Sequence, residues 1–88
     1  MAATILVVDD EETARMVVSE FLRSKGYEVI EAGTLAEAQK RLEKDAPEIL
    51  MLDVLLPDGY GPSLLTETMR QVERPEVIVM TAHGDINM

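Results

Sequence analysis

The sequence predicts an open, doubly wound α/β sheet of parallel strands in the order 2-1-3-4. Three observations carry that prediction. First, the runs ILVV (5–8), ILML (49–52) and VIVM (77–80) are apolar without alternation, and such strands are covered on both faces, as in parallel sheets. Second, helix-period segments separate them, giving the alternation β-α-β-α-β-α-β. Third, YEVIEA (27–32) mixes polar with apolar residues and belongs at an edge, so right-handed crossovers place it outside strand 1.

Each element has its own signals. After strand 1, the residues Ala14, Val17, Val18, Phe21 and Leu22 form an apolar stripe at helical spacing, and Gly26 stands where helices end. Strand 2 follows. Thr34 with Glu37 is a capping-box pair, opening a second helix with Leu35, Ala38 and Leu42 turned inward. Strand 3 is ILML, and behind it Pro57, Gly59 and Gly61 shape a loop. Pro62 suits the first turn of a third helix running through Leu64, Leu65, Thr68 and Val72. Pro75 separates that helix from strand 4.

Composition narrows the class. With 88 residues the chain holds one small domain, 1–88, and with 47% hydrophobic but only 3% aromatic residues its core is aliphatic. A formal net charge of −9 argues against direct nucleic-acid binding, which needs a basic face. The absence of cysteine excludes disulfides, thiolate metal sites and cysteine nucleophiles. MAATILVVDD lacks the basic start and the apolar length of a signal peptide, and no segment reaches membrane-spanning length. The expectation is a cytoplasmic domain without membrane contact.

In an open parallel sheet the working crevice lies at the carboxyl ends of the strands where the strand order reverses, here between strands 1 and 3. Strand 1 runs into Asp9 and Asp10, strand 3 into Asp53, and strand 4 into Thr81 and Ala82. Three carboxylates and a hydroxyl thus converge at the predicted crevice. Clustered carboxylates repel one another unless a cation neutralises them. Oxygen-only ligands favour Mg²⁺ with several retained waters. Aspartate after a parallel strand also caps the next helix, and Asp10 is open to that reading. Asp53 is not, because Pro62 is too far along the chain for Asp53 to cap its helix.

These residues resemble a family. Asp9-Asp10 after strand 1, Asp53 after strand 3 with Pro57 and Gly61 behind it, and Thr81-Ala82 after strand 4 are similar to the receiver domain of two-component response regulators, over the whole chain. The ending MTAHGDI further resembles receivers of the nitrogen-regulatory type that control sigma-54-dependent activators. The resemblance implies a flavodoxin-like fold and a phosphoacceptor function within a phosphorelay. Asp53 would take the phosphoryl group from a sensor histidine kinase or a small acyl phosphate. Asp10 would bind Mg²⁺ directly, Asp9 mainly through water, and the Leu55 backbone carbonyl would add a ligand. Thr81 would contact a phosphoryl oxygen, and the small Ala82 would leave the phosphate room. Such a module is not a turnover enzyme, and at most it dephosphorylates itself slowly. Its output, such as transcription, belongs to a domain outside this sequence.

The family pattern continues through a fourth helix, a fifth strand bearing a lysine and a fifth helix, whereas this sequence stops at Met88. The expectation is therefore a truncated receiver that lacks the fifth strand, the fifth helix and that lysine. Lys40 and Lys44, on the second helix, cannot replace it. One alternative is a structural or oligomerising receiver impaired in phosphorylation. Another is a phosphohydrolase of the haloacid dehalogenase type, which needs an acid two positions after the nucleophile, where this chain has Leu55. His83 reads as a loop residue before a helix capped by Asp85. With helix 1 alone on one face of four strands, apolar sheet surface is expected to lie bare, which favours a homo-oligomer, most simply a dimer.

Overall fold

The structure, a computed structural model, describes residues 3–64 and 75–80. Strand β1 (Thr4–Val8) leads to helix α1 (Glu12–Ser24), β2 (Glu28–Ala32) to α2 (Leu35–Asp45), and β3 (Ile49–Asp53) to a short hairpin of β4 (Leu55–Leu56) and β5 (Gly59–Tyr60). A 3₁₀ turn over Gly61–Ser63 and strand β6 (Glu76–Met80) complete the described elements. Every pairing in the main sheet is parallel and its order is β2-β1-β3-β6. β6 is the fourth predicted strand, so the order is the expected one. Each of the four predicted strands lies within one residue of its predicted bounds.

Both faces of β1 are covered, which explains its unbroken apolar run: Ile5, Leu6, Val7 and Val8 are all buried. Alternation along the strands sends Leu6, Val8, Ala32, Leu50 and Leu52 to one side, where Ala38 and Leu42 of α2, with Leu56 and Leu64, close the core. Burying each of the valine and leucine side chains stabilises by roughly 1.5–3 kcal/mol.

Helix α2 begins as its capping signal predicts. Thr34 Oγ1 accepts the Glu37 N–H at 3.1 Å, while the Glu37 carboxylate reaches past Thr34 to the Gly33 N–H at 2.8 Å. The cap of α1 is Glu11, whose Oε1 accepts the Ala14 N–H at 2.7 Å. Asp10 therefore does not cap α1, and the capping reading of that residue is corrected. The helix ends at Lys25, and Gly26, at φ 97°, turns the chain where the sequence places the stop.

The apolar stripe of α1 is the larger correction. Ser19 is fully buried and Arg15, Val18 and Leu22 half-buried, whereas Ala14, Val17 and Phe21 of the expected inward face are exposed. The helix is turned by roughly a quarter of a revolution from that expectation. Ser19 at the centre of the contact lets the helix come close to β1 and β2, and Arg15 is drawn inward by the Asp9 carbonyl just after β1 and by Glu31 of β2.

The loop expected after strand 3 contains the β4–β5 hairpin, with Leu55 opposite Tyr60 and Leu56 opposite Gly59. Two-residue strands carry too little pattern to be seen in a sequence. Pro62 does stand at the start of a helical turn, and Leu64 is buried. Leu65, Thr68 and Val72 of the third predicted helix lie outside the described residues.

Candidate functional site

Three of the predicted site residues are brought together. Asp9, Asp10 and Asp53 each offer a carboxylate oxygen, and these atoms all lie within 4.8 Å of one another. The strands explain why. β1 and β3 are paired from Ile5 with Ile49 to Val8 with Leu52, so the residues that follow this last pair on each strand, Asp9 and Asp53, lie side by side. Asp53, the final residue of β3, is 3% exposed and Asp9 8% exposed, while Asp10 faces solvent. The cluster thus joins two buried acids to one that faces solvent.

The site's backbone is held locally. The Asp9 N–H donates to the Ala32 carbonyl at 3.1 Å and Asp9 Oδ1 accepts the Glu11 N–H at 3.0 Å. On the other side, the Gly61 N–H donates to the Val54 carbonyl at 2.6 Å. A Cβ at Gly61 would collide with the Asp53 carbonyl oxygen, so a glycine is needed there for the chain to fold back against the end of β3. Gly61 is the part of the expected loop chemistry that acts directly at the site.

Asp58 lies in the turn between β4 and β5, and its local sequence marks it only as a turn residue. Its two carboxylate oxygens accept the Leu35 N–H at 2.8 Å and the Ala36 N–H at 3.1 Å, tying the hairpin to the first turn of α2. The Leu35 N–H is the main reason its carboxyl is held below the usual aspartate range; desolvation opposes it, and the Ala36 N–H and its own N–H add smaller contributions in the same direction as Leu35. The partners are more than twenty positions earlier, so only the Pro57-Asp58 turn signal was there to be read.

Concentrated carboxylates with little solvent access are costly unless paired or ligated. An all-oxygen set of this kind, with an open side for water, fits a hard divalent cation and suits Mg²⁺. The Leu55 carbonyl belongs to the first residue of β4, two positions beyond Asp53. Thr81, Ala82 and His83 lie outside the described residues. Among the described residues no helix is long and apolar enough to cross a membrane.

The sequence model of the response regulator receiver domain matches residues 5–88. The chain is 31% identical to sporulation initiation phosphotransferase F of Bacillus subtilis (strain 168) over 88 residues, which are 100% of this chain and 71% of that protein. It is 35% identical to the alkaline phosphatase synthesis transcriptional regulatory protein PhoP of the same organism, over 97% of this chain and 35% of that one. It therefore spans about a third of the length of such longer regulators. Among solved structures, a response regulator protein from Burkholderia pseudomallei with a phosphorylated aspartic acid, calcium ion and citrate matches with a TM-score of 0.86 at 26% identity, covering 96% of this chain and 49% of that chain. Strand order, acidic crevice and sequence pattern agree over nearly the whole length, and the chain belongs to the receiver domains of two-component response regulators.

Proposed function

We propose that this receiver accepts a phosphoryl group on Asp53, with Mg²⁺ held by the carboxylates of Asp9, Asp10 and Asp53 and by the Leu55 carbonyl. The observation that carries the reading is the convergence of three carboxylates at the ends of two adjacent parallel strands. An Asp53 oxygen attacks the phosphorus of a phosphohistidine on a sensor kinase, or of a small acyl phosphate. The new P–O bond forms as the bond to the leaving group breaks, and that group departs with the electron pair. Bound Mg²⁺ would neutralise charge that develops on the phosphoryl oxygens. The protein's own part is positioning: β1 and β3 hold the acids in place, and Gly61 keeps the following chain folded against the end of β3. Thr81 would contact a phosphoryl oxygen.

The domain acts as a cytoplasmic phosphoacceptor that regulates a downstream output such as transcription, and not as a turnover enzyme. The aspartyl phosphate of the Burkholderia pseudomallei structure and the transcriptional role in the name of the Bacillus relative support this reading. Incubation with acetyl phosphate and Mg²⁺ should give a hydroxylamine-labile adduct of one phosphoryl group, visible by mass spectrometry and absent from Asp53→Asn. An adduct that persists in that variant sinks the assignment.

A second reading, self-association as a homodimer, is favoured by a separate observation. Ile78 of β6 is exposed, as are Val17 and Phe21 of α1, and apolar surface of this kind favours partners.

A further inference from the structure

The turn after β1 depends on a side chain that belongs to neither the acidic cluster nor the core. Arg15 of α1 donates from Nη1 to the Asp9 carbonyl at 2.7 Å, and its Nε pairs with Glu31 Oε1 of β2 at 3.1 Å. The other oxygen of Glu31 takes Arg23 at 3.3 Å. Arg15 is the inner member of this chain: its side chain is 18% exposed against 49% for Arg23. Gly33 leaves space for it, since a Cβ there would lie 2.9 Å from Arg15 Nη1. A planar guanidinium supplies donors in fixed, diverging directions, which a lysine does not.

The Asp9 carbonyl is half of the Asp9–Asp10 peptide unit, and a peptide unit is rigid and planar. Fixing that oxygen fixes the plane from which Asp10 projects. Asp10 has no hydrogen bond of its own among the described residues and faces solvent, so the aim of its carboxylate rests on the backbone. As a charge alone, a cation beside the cluster would oppose a divalent ion. Its use must therefore lie in geometry.

We propose that Arg15 is a positioning residue of the acidic site. Clamped by Glu31 in the space left at Gly33, it orients the Asp9–Asp10 peptide so that the Asp10 carboxylate meets those of Asp9 and Asp53. The inference rests on reading the cluster as a Mg²⁺ site, and it deepens that reading by naming what keeps the ligands in register.

The test is a Mg²⁺ titration of the 88-residue protein, followed by amide shifts at Asp9–Glu11. Arg15→Ala should weaken binding about tenfold, as loss of partners that orient metal ligands does. Arg15→Lys should recover only part of the loss. Gly33→Ala, which keeps the charge and moves only the end of a flexible side chain, should give a smaller loss of the same sign. A role as mere charge predicts the opposite direction, tighter binding in Arg15→Ala. A role in folding alone predicts lower stability with unchanged affinity. Either result overturns the proposal. A metal-free measurement separates it from the site reading: the residual dipolar coupling of the Asp10 N–H should change in Arg15→Ala and Gly33→Ala but not in Arg23→Ala, which breaks only the outer ion pair. An unchanged Asp10 coupling in Arg15→Ala overturns the inference even where Mg²⁺ binds. Mg²⁺ shifts that survive Asp10→Ala count against the site reading instead.

Discussion

Ser19 shows how a polar residue can be placed by shape alone. Its side chain is fully buried beneath α1, and its hydroxyl has no hydrogen-bond partner among the described residues. Burying a hydroxyl without a partner costs about 1–3 kcal/mol. What the position requires is small volume, which lets α1 approach the sheet. Ser19→Ala is therefore expected to stabilise the domain by about 1 kcal/mol, read as a higher urea midpoint with an unchanged slope. The three aspartates were legible because they stand at the carboxyl ends of two apolar strand runs, Asp9 and Asp10 after ILVV and Asp53 after ILML. Arg15 was not, because its partners Asp9, after β1, and Glu31, on β2, lie apart in the chain, and an arginine on a helix reads as solvent-facing until the turn of that helix is known.

The hairpin and α2 form a coupled pair. Asp58 joins them, and its depressed carboxyl gives the coupling a pH dependence of defined sign. A group whose folded value lies below its unfolded value contributes stability that is complete above the ordinary aspartate range. That contribution is lost as the pH falls through the depressed folded value. The amide shifts of Leu35 and Ala36 should follow this titration, with a midpoint below the usual aspartate range, and Asp58→Asn should abolish it. A midpoint in the ordinary range would show that the contact does not persist in solution. For α1, the apolar stripe identified a helix correctly and its facing incorrectly. Val18 and Leu22 belong to both the expected and the observed inward set, so periodicity alone does not choose between the two rotations.

The faces of the sheet as a whole are unequal. The α2 side carries the continuous core cluster. On the other side α1 packs on β1 and β2, and the register that sets Met51 beside Ile78 puts both residues on that side of β3 and β6. Ile78 is 50% exposed and Phe21 59% exposed. If this side is the contact between two copies, sedimentation across a dilution series should show the average mass falling from dimer to monomer. Ile78→Glu should leave a monomer at every concentration, because a buried unpaired charge is strongly unfavourable. A wild-type chain that sediments as a monomer throughout would remove the dimer.

Strand order, the edge position of β2, the capping of α2 and the acidic crevice follow from patterns within a few residues of one another, joined by the handedness of parallel crossovers. Neighbouring residues compete for the same backbone, so such signals survive without knowledge of the fold. The facing of α1, the Glu11 cap, the β4–β5 hairpin, the Asp58 tie and the Arg15–Glu31 clamp were decided only in three dimensions. Apart from that cap and that hairpin, each depends on contacts between elements that lie apart in the chain, where packing and the direction of a hydrogen bond outweigh local preference.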